Sequence, residues 1–597
     1  MKIKIGLFFF ISYYYCCIGN SQDRYNLGFE GEQNKIPQWF TSGNGCSISC
    51  DKTAKKQGQN SFMVCLKNDP YTKITGATTK LGQSFLVPKA KNRGTLKISI
   101  YSKGDPKWDV SLNVIGLSDI EDIVVEKKIK YTTTDTWRKD SLIFDIRNAK
   151  LLTLNIELNL DKSFLNNDAT IGPIWLDKLE MAFENVDINK YSVNVDCGNL
   201  SEFIEKTKTP LTTPLIAEIS AINEFNDAKI IALGETIHGS STINKIAFQT
   251  MRQLVENQNV KLILIEMPID LVTHWNYYIS NKTNISIEEF FPIGALYDPI
   301  ELKKLLDWLQ YYNLHNNDKV SIVGIDKAGT YKADCYLKHF LSQTLPPSPI
   351  LDTISQNLCG FNTQTYVKAQ ASLMRYWKFF NSQIDKKALL IFNQALKGLA
   401  MKVYPPNELF EGTRDYIFAQ NAIFAIDSLL KNNEKALIYS HFQHTSKICN
   451  YINGANYSTM GSYLNEKYGN EFYNIGLLVG TGTFTANNDS MIVDNNTLGT
   501  PILGSIEQKC LDMNNELFFS SLSSASPDDN LCYYRNKGNF TGINQFYIGN
   551  IQKRTDAVIF VKNSTGFKIP EHWPLYTKDW FWFLVKQYNM NQRKSKQ

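Results

Sequence analysis

The stretch Lys229–Ser240, KIIALGETIHGS, decides the reading of the fold. An apolar run, Ile230–Leu233, ends in Gly234, and Glu235 and His238 follow three residues apart. Beyond Gly239 stand Ser240, Ser241 and Thr242, whose side-chain oxygens suit the start of a helix. Ile243, Ile246, Ala247, Leu254 and Val255 then fall on one helical face. The spacing predicts strand, glycine-containing turn and helix, with a carboxylate and an imidazole on the turn. In open α/β sheets, ligands bind beyond the carboxyl ends of the strands. Glu235 and His238 are thereby placed where chemistry usually sits.

Outward from this stretch, residues from about 200 onward repeat the pattern. Apolar runs at Lys229–Leu233, Lys261–Ile265, Val320–Ile325, Ala436–Tyr439, Phe472–Val479 and Ala557–Val561 alternate with helical stretches such as Pro299–Tyr312 and Arg414–Leu430. Such alternation implies βαβ units and a mainly parallel sheet covered by helices on both faces. Lys386–Val403 reads as an extra helix of a lid or cap. Residues 485–555 are loop-rich and give no order of elements.

Four of these runs end in a functional group. The first ends at Glu235 with His238 beyond, the second at Glu266, the third at Asp326, and the fourth at His441 with His444. In a parallel sheet these ends converge on one edge. Singly, each has a plain structural reading: Glu235 could cap a helix, Asp326 could be a turn residue, His444 a surface histidine. Together they are harder to dismiss, because buried carboxylates are costly unless paired.

There is no GxSxG nucleophile elbow. Gly480-Thr481-Gly482-Thr483 lacks the lysine of a phosphate-binding loop. Two chemistries remain. A carboxylate-held histidine can deprotonate a water that attacks an acyl carbon, with a second histidine supporting the oxyanion. Alternatively, histidines and carboxylates can hold a metal that lowers the pKa of bound water. The metal reading is the weaker, because His441 and His444 lie at a strand end.

Gly234-Glu235-Thr236-Ile237-His238-Gly239 resembles the GE-x-x-HG motif of the erythromycin esterase family. The resemblance continues in order through Ile265–Pro268, Gly324–Asp326, Arg414-Asp415 with Asn421, His441–His444, Met460-Gly461, and Ile475-Gly476 with Gly480–Phe484. It spans residues 215 to about 565. It implies an α/β fold with a deep cleft and metal-independent ester hydrolysis, with no cofactor. By that match His238 is the general base, with Glu235, Glu266, His441 and His444 lining the cleft. Asp326, Arg414 and Lys245 stand as candidate substrate-binding residues. Two departures are visible. Many members carry Arg-Glu shortly after the HG, where this chain has Ser241-Thr242, and Phe442 replaces the Asn of H-N-x-H. Both are expected to touch the substrate region, and they bear on macrolide cleavage more than on hydrolysis itself.

Residues 22–190 have a different texture. Short alternating runs at Ser61–Leu66, Thr95–Tyr101, Val110–Ile115, Leu142–Ile146 and Leu152–Leu158 predict an all-β sandwich. The segment opens with Asn26-Leu27-Gly28-Phe29-Glu30 and closes with Ile174-Trp175-Leu176-Asp177-Lys178-Leu179. These ends resemble the first and last strands of carbohydrate-binding jelly-roll modules of the galactose-binding type, which implies a glycan partner. Trp39, Trp108 or Trp137 could stack on a sugar ring; for any one of them, burial in the core is the favoured reading.

The remaining boundaries follow from composition. A chain of 597 residues suggests two to four domains. Lys2, Lys4, the apolar stretch Ile5–Ile18 and Gly19-Asn20-Ser21 predict a signal peptide over 1–21. Its apolar run is short for a membrane span. The expected product is secreted or periplasmic, rather than a lipoprotein, since Tyr13–Tyr15 lack the small residues that lipid attachment wants. Residues 191–214 read as a linker and 215–597 as the hydrolytic domain. A disulfide among Cys46, Cys50 and Cys65 is expected in an oxidising compartment, while Cys335, Cys359 and Cys449 read as buried small hydrophobes. The net charge of +5 is spread along the chain, with no basic block to bind nucleic acid. The sequence thus describes an esterase or lactone hydrolase. A metal-dependent hydrolase and a non-catalytic glycan-binding surface protein are the alternatives.

Overall fold

In the computed structural model, the described residues are 25–571 apart from 32–38, 68–76, 88–92, 119–122, 161, 166–170, 192–196, 198, 212–223, 282–285, 292–295, 328–332, 359–362, 401–410, 453–454, 488–491, 503, 526–530, 537, 539–545 and 569. The expected signal peptide and parts of the expected linker lie outside them. The chain divides into two compact units, one essentially of residues up to 194 and the other of residues from 195 onward.

The first unit is a sandwich of two antiparallel sheets. Its strands are β1 (Phe40–Asn44), β2 (Cys46–Asp51), β3 (Ser61–Leu66), β4 (Ala77–Leu86), β5 (Arg93–Gly104), β6 (Trp108–Leu117), β7 (Ile123–Thr132), β8 (Arg138–Arg147), β9 (Leu151–Leu160) and β10 (Ile174–Phe183). One sheet has the order β1-β4-β9-β6-β7 and the other β2-β3-β10-β5-β8. The period-two pattern drives this packing. On β5, Leu96, Ile98 and Ile100 point into the core while Lys97, Tyr101 and Lys103 do not. Trp39 and Trp108 are fully buried core residues, each indole N–H donating to a backbone carbonyl (Asn26 O, 2.9 Å; Gly172 O, 3.0 Å). Neither can stack on a sugar; Trp137 is half-buried.

The expected disulfide does not form: Cys46, Cys50 and Cys65 are free thiols. The register explains it. Cys65 stands opposite Ser47, so it projects from the other face of the sheet than Cys46 and Cys50. Cys46 and Cys50 lie four residues apart on one extended strand, beyond the reach of an S–S bond. Cys449 is half-buried, Cys359 lies outside the described residues, and of the Cys335 side chain nothing is described.

The second unit is built on one large sheet. Its strands are β11 (Thr209–Pro210), β12 (Ile230–Glu235), β13 (Val260–Pro268), β14 (Ser321–Asp326), β15 (Lys435–His441), β16 (Phe472–Asn487), β17 (Ile492–Leu498), β18 (Leu517–Ser521) and β19 (Ala557–Ser564). The order is β11-β18-β19-β16-β12-β15-β13-β14, with β17 pairing on β16. From β19 to β14 every pairing is parallel; β11, β17 and β18 are antiparallel.

Buried strands with apolar residues on both sides need two helical layers. Ile231 and Leu233 of β12 join a core with helices α1 (Ser241–Asn257), α2 (Ile269–Ser280) and α3 (Pro299–His315). Ile230 and Ala232 join a second core on the opposite face. There the cover is α4 (Ala333–Thr344), α5 (Pro349–Asn357), α6 (Thr363–Arg375), α7 (Trp377–Gln383), α8 (Lys386–Ala400), α9 (Glu411–Leu429) and, beyond the short α10 (Phe442–Thr445), α11 (Met460–Tyr468). The expected lid helix is α8; its Leu389, Phe392 and Leu396 are buried in that core and it packs on α6 and α2. It is a structural wall and not a free lid. The stretch 485–555, unreadable in sequence, supplies β17, α12 (Ile506–Leu511), β18 and a hairpin of Cys532–Arg535 with Phe546–Gly549. Among the described residues no helix is long and apolar enough to cross a membrane.

Candidate active site

The parallel register brings the strand ends together. Glu235, last in β12, lies level with His441, last in β15. A bulge in β13 between Ile265 and Pro268 carries Glu266 at the neighbouring strand end, and β14 ends at Asp326.

Two glycines shape the turn after β12. A Cβ on Gly234 would fall 2.2 Å from Thr445 Oγ1 and against Phe442, so only glycine lets α10 close over the strand. Gly239 has φ +78°, and a Cβ there would sit 1.8 Å from the Thr485 carbonyl oxygen. Ser240 then caps α1 by accepting the Ile243 N–H at 3.0 Å. Gly239→Ala is expected to destabilise the unit by about 1–3 kcal/mol from backbone strain alone. A melting temperature unchanged from wild type would count against that account of the turn.

Glu235 is completely buried. One carboxylate oxygen meets His238 Nδ1 at 2.6 Å; the other accepts from Asn244 Nδ2 at 3.3 Å and from the Tyr439 hydroxyl. Asn244 also donates to Tyr439 Oη (2.7 Å) and accepts the Asp298 N–H (2.6 Å), locking the group to the start of α3. Burial pushes the Glu235 carboxyl up, and the hydrogen bonds from His238 and Tyr439 only partly offset it. Burial and the Glu235 charge in turn push the Tyr439 phenol well up, which keeps it a donor.

The His238 ring lies 4.6 Å from that of His441, tilted by 39°. His441 Nδ1 accepts the Gln443 N–H at 3.4 Å as it caps α10. In the neutral ring the proton is then on Nε2.

Glu266 is the electrostatic hub. Its Oε2 accepts from Ser440 Oγ (2.7 Å) and from the His441 N–H (2.8 Å). Its Oε1 faces Arg414 (3.3 Å) and His444 Nε2 (3.5 Å). Burial would raise this carboxyl, but the charges of His444, His238 and Arg414 and the His441 N–H outweigh it and hold it well below the usual carboxylate range. Arg414 also pairs with Asp326 at 2.8 Å and lies 4.7 Å from the Phe418 ring centre. His444 Nδ1 meets both Asp415 oxygens at 2.9 and 3.0 Å. Burial would lower its pKa, yet Asp415 and Glu266 raise it.

His238, Glu235, Glu266, His441, His444, Asp326 and Arg414 are thus in one contiguous group. Lys245 is not brought to it: the residue is exposed on α1, whose buried face carries Ile243, Asn244, Ile246 and Ala247. Phe442 does not touch substrate space either. It is buried beneath the strands against Gly234, Gly476 and Tyr534, so its replacement of Asn alters the floor and not the cleft lining. Ser241 donates to Asp298 at 2.5 Å and Thr242 meets Thr565 at 2.9 Å. Sequence reasoning assigned no role to Asn244, Tyr439, Ser440 or Asp415. Tyr297, its ring centre 5.3 Å from that of Tyr439 and close enough to Glu266 and Glu235 for burial and their charges to push its phenol well up, was also missed. Among the described residues no group of three or more His, Cys, Asp or Glu side chains is arranged to hold a metal ion.

A protein from Bacillus cereus of solved structure is 18% identical, with a TM-score of 0.54, over 63% of this chain and 100% of that one. A mutant of the erythromycin esterase EreC in its open conformation is 16% identical (TM-score 0.43) over 61% of this chain and 98% of that one. The first unit is matched by a carbohydrate-binding module solved with β-1,4-galactotriose, 17% identical, over 27% of this chain and 96% of that one, with a TM-score of 0.19. Among curated proteins none matches. The sequence profile of the erythromycin esterases matches residues 255–564, just over half of the chain, and the chain therefore belongs to the erythromycin esterase family.

Proposed function

We propose that the chain is a secreted hydrolase that cleaves a carboxylic ester or lactone with a histidine-activated water. The observation that carries this reading is the buried Glu235–His238 pair set against the His441 ring. Glu235 holds Nδ1–H of His238 and leaves Nε2 to take the water proton. The hydroxide attacks the acyl carbon, and the carbonyl electrons move to oxygen. His441 Nε2–H donates to that oxyanion. Collapse of the intermediate breaks the acyl–oxygen bond, and the His238 imidazolium returns its proton to the leaving alkoxide. His444 lies between Glu266 and Asp415, whose carboxylates raise its pKa and so favour its charged form. Arg414, partly exposed and anchored on Asp326, is placed to meet a polar group of the substrate. The first unit binds a glycan and tethers the enzyme to it; the carbohydrate-binding modules it resembles support this part.

The test is hydrolysis of a panel of esters, lactones and 14-membered macrolides by the purified chain, with and without chelator. Turnover that survives chelation is the expected result. Turnover abolished by chelator and restored by added metal would replace the histidine–water mechanism with a metal-bound water. No turnover of any substrate by a folded chain would leave only the glycan-binding part.

A further inference from the structure

The two outward faces of the sandwich differ in their charge chemistry. On the β1-β4-β9-β6-β7 sheet, Lys80 pairs with Glu157 at 3.9 Å and Lys130 with Asp109 at 2.9 Å. On the β2-β3-β10-β5-β8 sheet Glu180 pairs with Lys139 and Lys178 and Asp140 with Arg138, Lys56 and Lys103 have no carboxylate partner among the described residues, and two aromatic rings lie among these groups. Tyr101 of β5 stands between Asp177 of β10 and Lys139 of β8, and Trp175 of β10 stands opposite Lys103 of β5. Tyr101 and Lys103 are two residues apart and so share a face, with the core residues Ile100 and Ser102 on the other.

Both rings are half-buried and reachable. Three ammonium groups surround the Tyr101 ring, those of Lys56, Lys139 and Lys178 at 5.1, 5.3 and 5.4 Å from its centre. Lys103 lies 5.9 Å from the centre of Trp175. The local carboxylates are largely spent. Glu180 is shared by Lys139 and Lys178, and Asp51 accepts the Trp175 indole N–H at 2.6 Å and the Thr53 hydroxyl at 2.8 Å. No described carboxylate is within ion-pair distance of Lys56 or Lys103.

We propose that this face binds an acidic polysaccharide, one whose sugar rings carry carboxylates. The inference rests on the reading of the first unit as glycan-binding and names both the face and the class of glycan. An ordinary solvated face keeps its aromatics inside; this one presents two rings, with the ammonium groups of Lys56 and Lys103 against them and no described carboxylate to pair either. Tyr101 and Trp175 are diagonal cross-strand neighbours, about 7–8 Å apart. They offer flat apolar surface to the C–H faces of successive sugars. The flexible lysine stems let the ammonium groups rise from the rings toward carboxylates on the sugar edges. A neutral glycan would use the rings and leave the ammonium groups idle. A polyanion without sugar rings would use only the charges.

The test is retardation of the full chain in native gels containing polygalacturonate, a neutral galactan or polyglutamate, at low and high salt. Polygalacturonate should retard the chain, galactan and polyglutamate much less, and salt should weaken the effect. The double variant Tyr101→Ala/Lys103→Ala should bind polygalacturonate about tenfold or more weakly. Its small-ester turnover should stay at the wild-type level, which reports that it is folded. Equal retardation by polyglutamate would overturn the glycan assignment in favour of bare charge. Retardation by galactan alone, unchanged in the variant, would overturn this inference and leave glycan binding standing. Retardation by none of the three would overturn both.

Discussion

Replacing His238 with alanine is expected to lower kcat/KM for whichever ester the enzyme turns over by about 10²–10⁴-fold, the contribution of a positioned general base. The fold should survive. His238 is on a turn and not in a core, and its hydrogen-bonded carboxylate partner, Glu235, keeps the Asn244 and Tyr439 donors. Circular dichroism and the melting temperature should therefore stay close to wild type while turnover collapses. Turnover within a fewfold of wild type in a folded His238→Ala enzyme would move the base elsewhere, and His441 would be the next residue to replace. Glu235→Gln should follow the same direction more mildly, because an amide still accepts the Nδ1–H hydrogen bond but does not balance the imidazolium charge.

The second large effect is on stability. Glu266→Gln removes the negative charge that Arg414 and His444 share. Breaking a buried charge pair from one side costs about 3–5 kcal/mol. Arg414 is 38% exposed, so solvent screens its share, and most of the cost falls on the buried His444 and Asp415. Chemical denaturation should show a loss of about 3 kcal/mol or more. The pH dependence carries a sign. Glu266 titrates below its unfolded value, so its contribution is full above about pH 4.3 and is lost as pH falls through the folded value. His444 titrates above its unfolded value, so its contribution is full below about pH 6.5 and is lost as pH rises through the folded value. Stability should peak between these limits. In Glu266→Gln the acid limb should flatten and the alkaline limb should be smaller and end at a lower pH. An acid limb as steep as wild type would remove Glu266 from its place as the hub.

What the sequence made legible was whatever ends a strand. Glu235, Glu266, Asp326 and His441 each follow an apolar run, and in a parallel sheet the ends of such runs share an edge. Asn244 and Tyr439 were harder to find because they lie inside elements. Tyr439 passes for an ordinary β residue in ALIYSH. Asn244 falls among Ile243, Ile246 and Ala247, where an amide on the buried helical face was the one available signal. Lys245 is its exposed neighbour, and helical periodicity already put it on the far side. Asp415 was visible beside Arg414, but its partner His444 lies 29 residues on and only α9 packing brings them together. Phe442 looked like a change at the cleft because its flanking histidines are there. The strand-to-helix turn sends alternate side chains to opposite sides, and Phe442 went down. The disulfide expectation failed for the same kind of reason, since spacing along a strand does not say which face a side chain takes. The stretch 485–555 gave no period because its strands are short and pair with partners far away, as Leu517–Ser521 does with Ala557–Val561.

The placement of β12 has a consequence for how the enzyme is made. Both of its sheet neighbours, β15 and β16, lie far downstream in the chain. At about 5–20 residues per second, a ribosome needs roughly 10–40 s to add the 206 residues that follow Glu235 up to and including His441. During that interval the nascent IIALGE strand has neither edge covered, and such a strand is a template for wrong pairing. The sandwich of the first unit, complete by residue 194, has no such wait. The nascent protein therefore spends its most aggregation-prone period with its first unit already able to fold and its central strand β12 still bare, and that is the window in which a chaperone would have most to do.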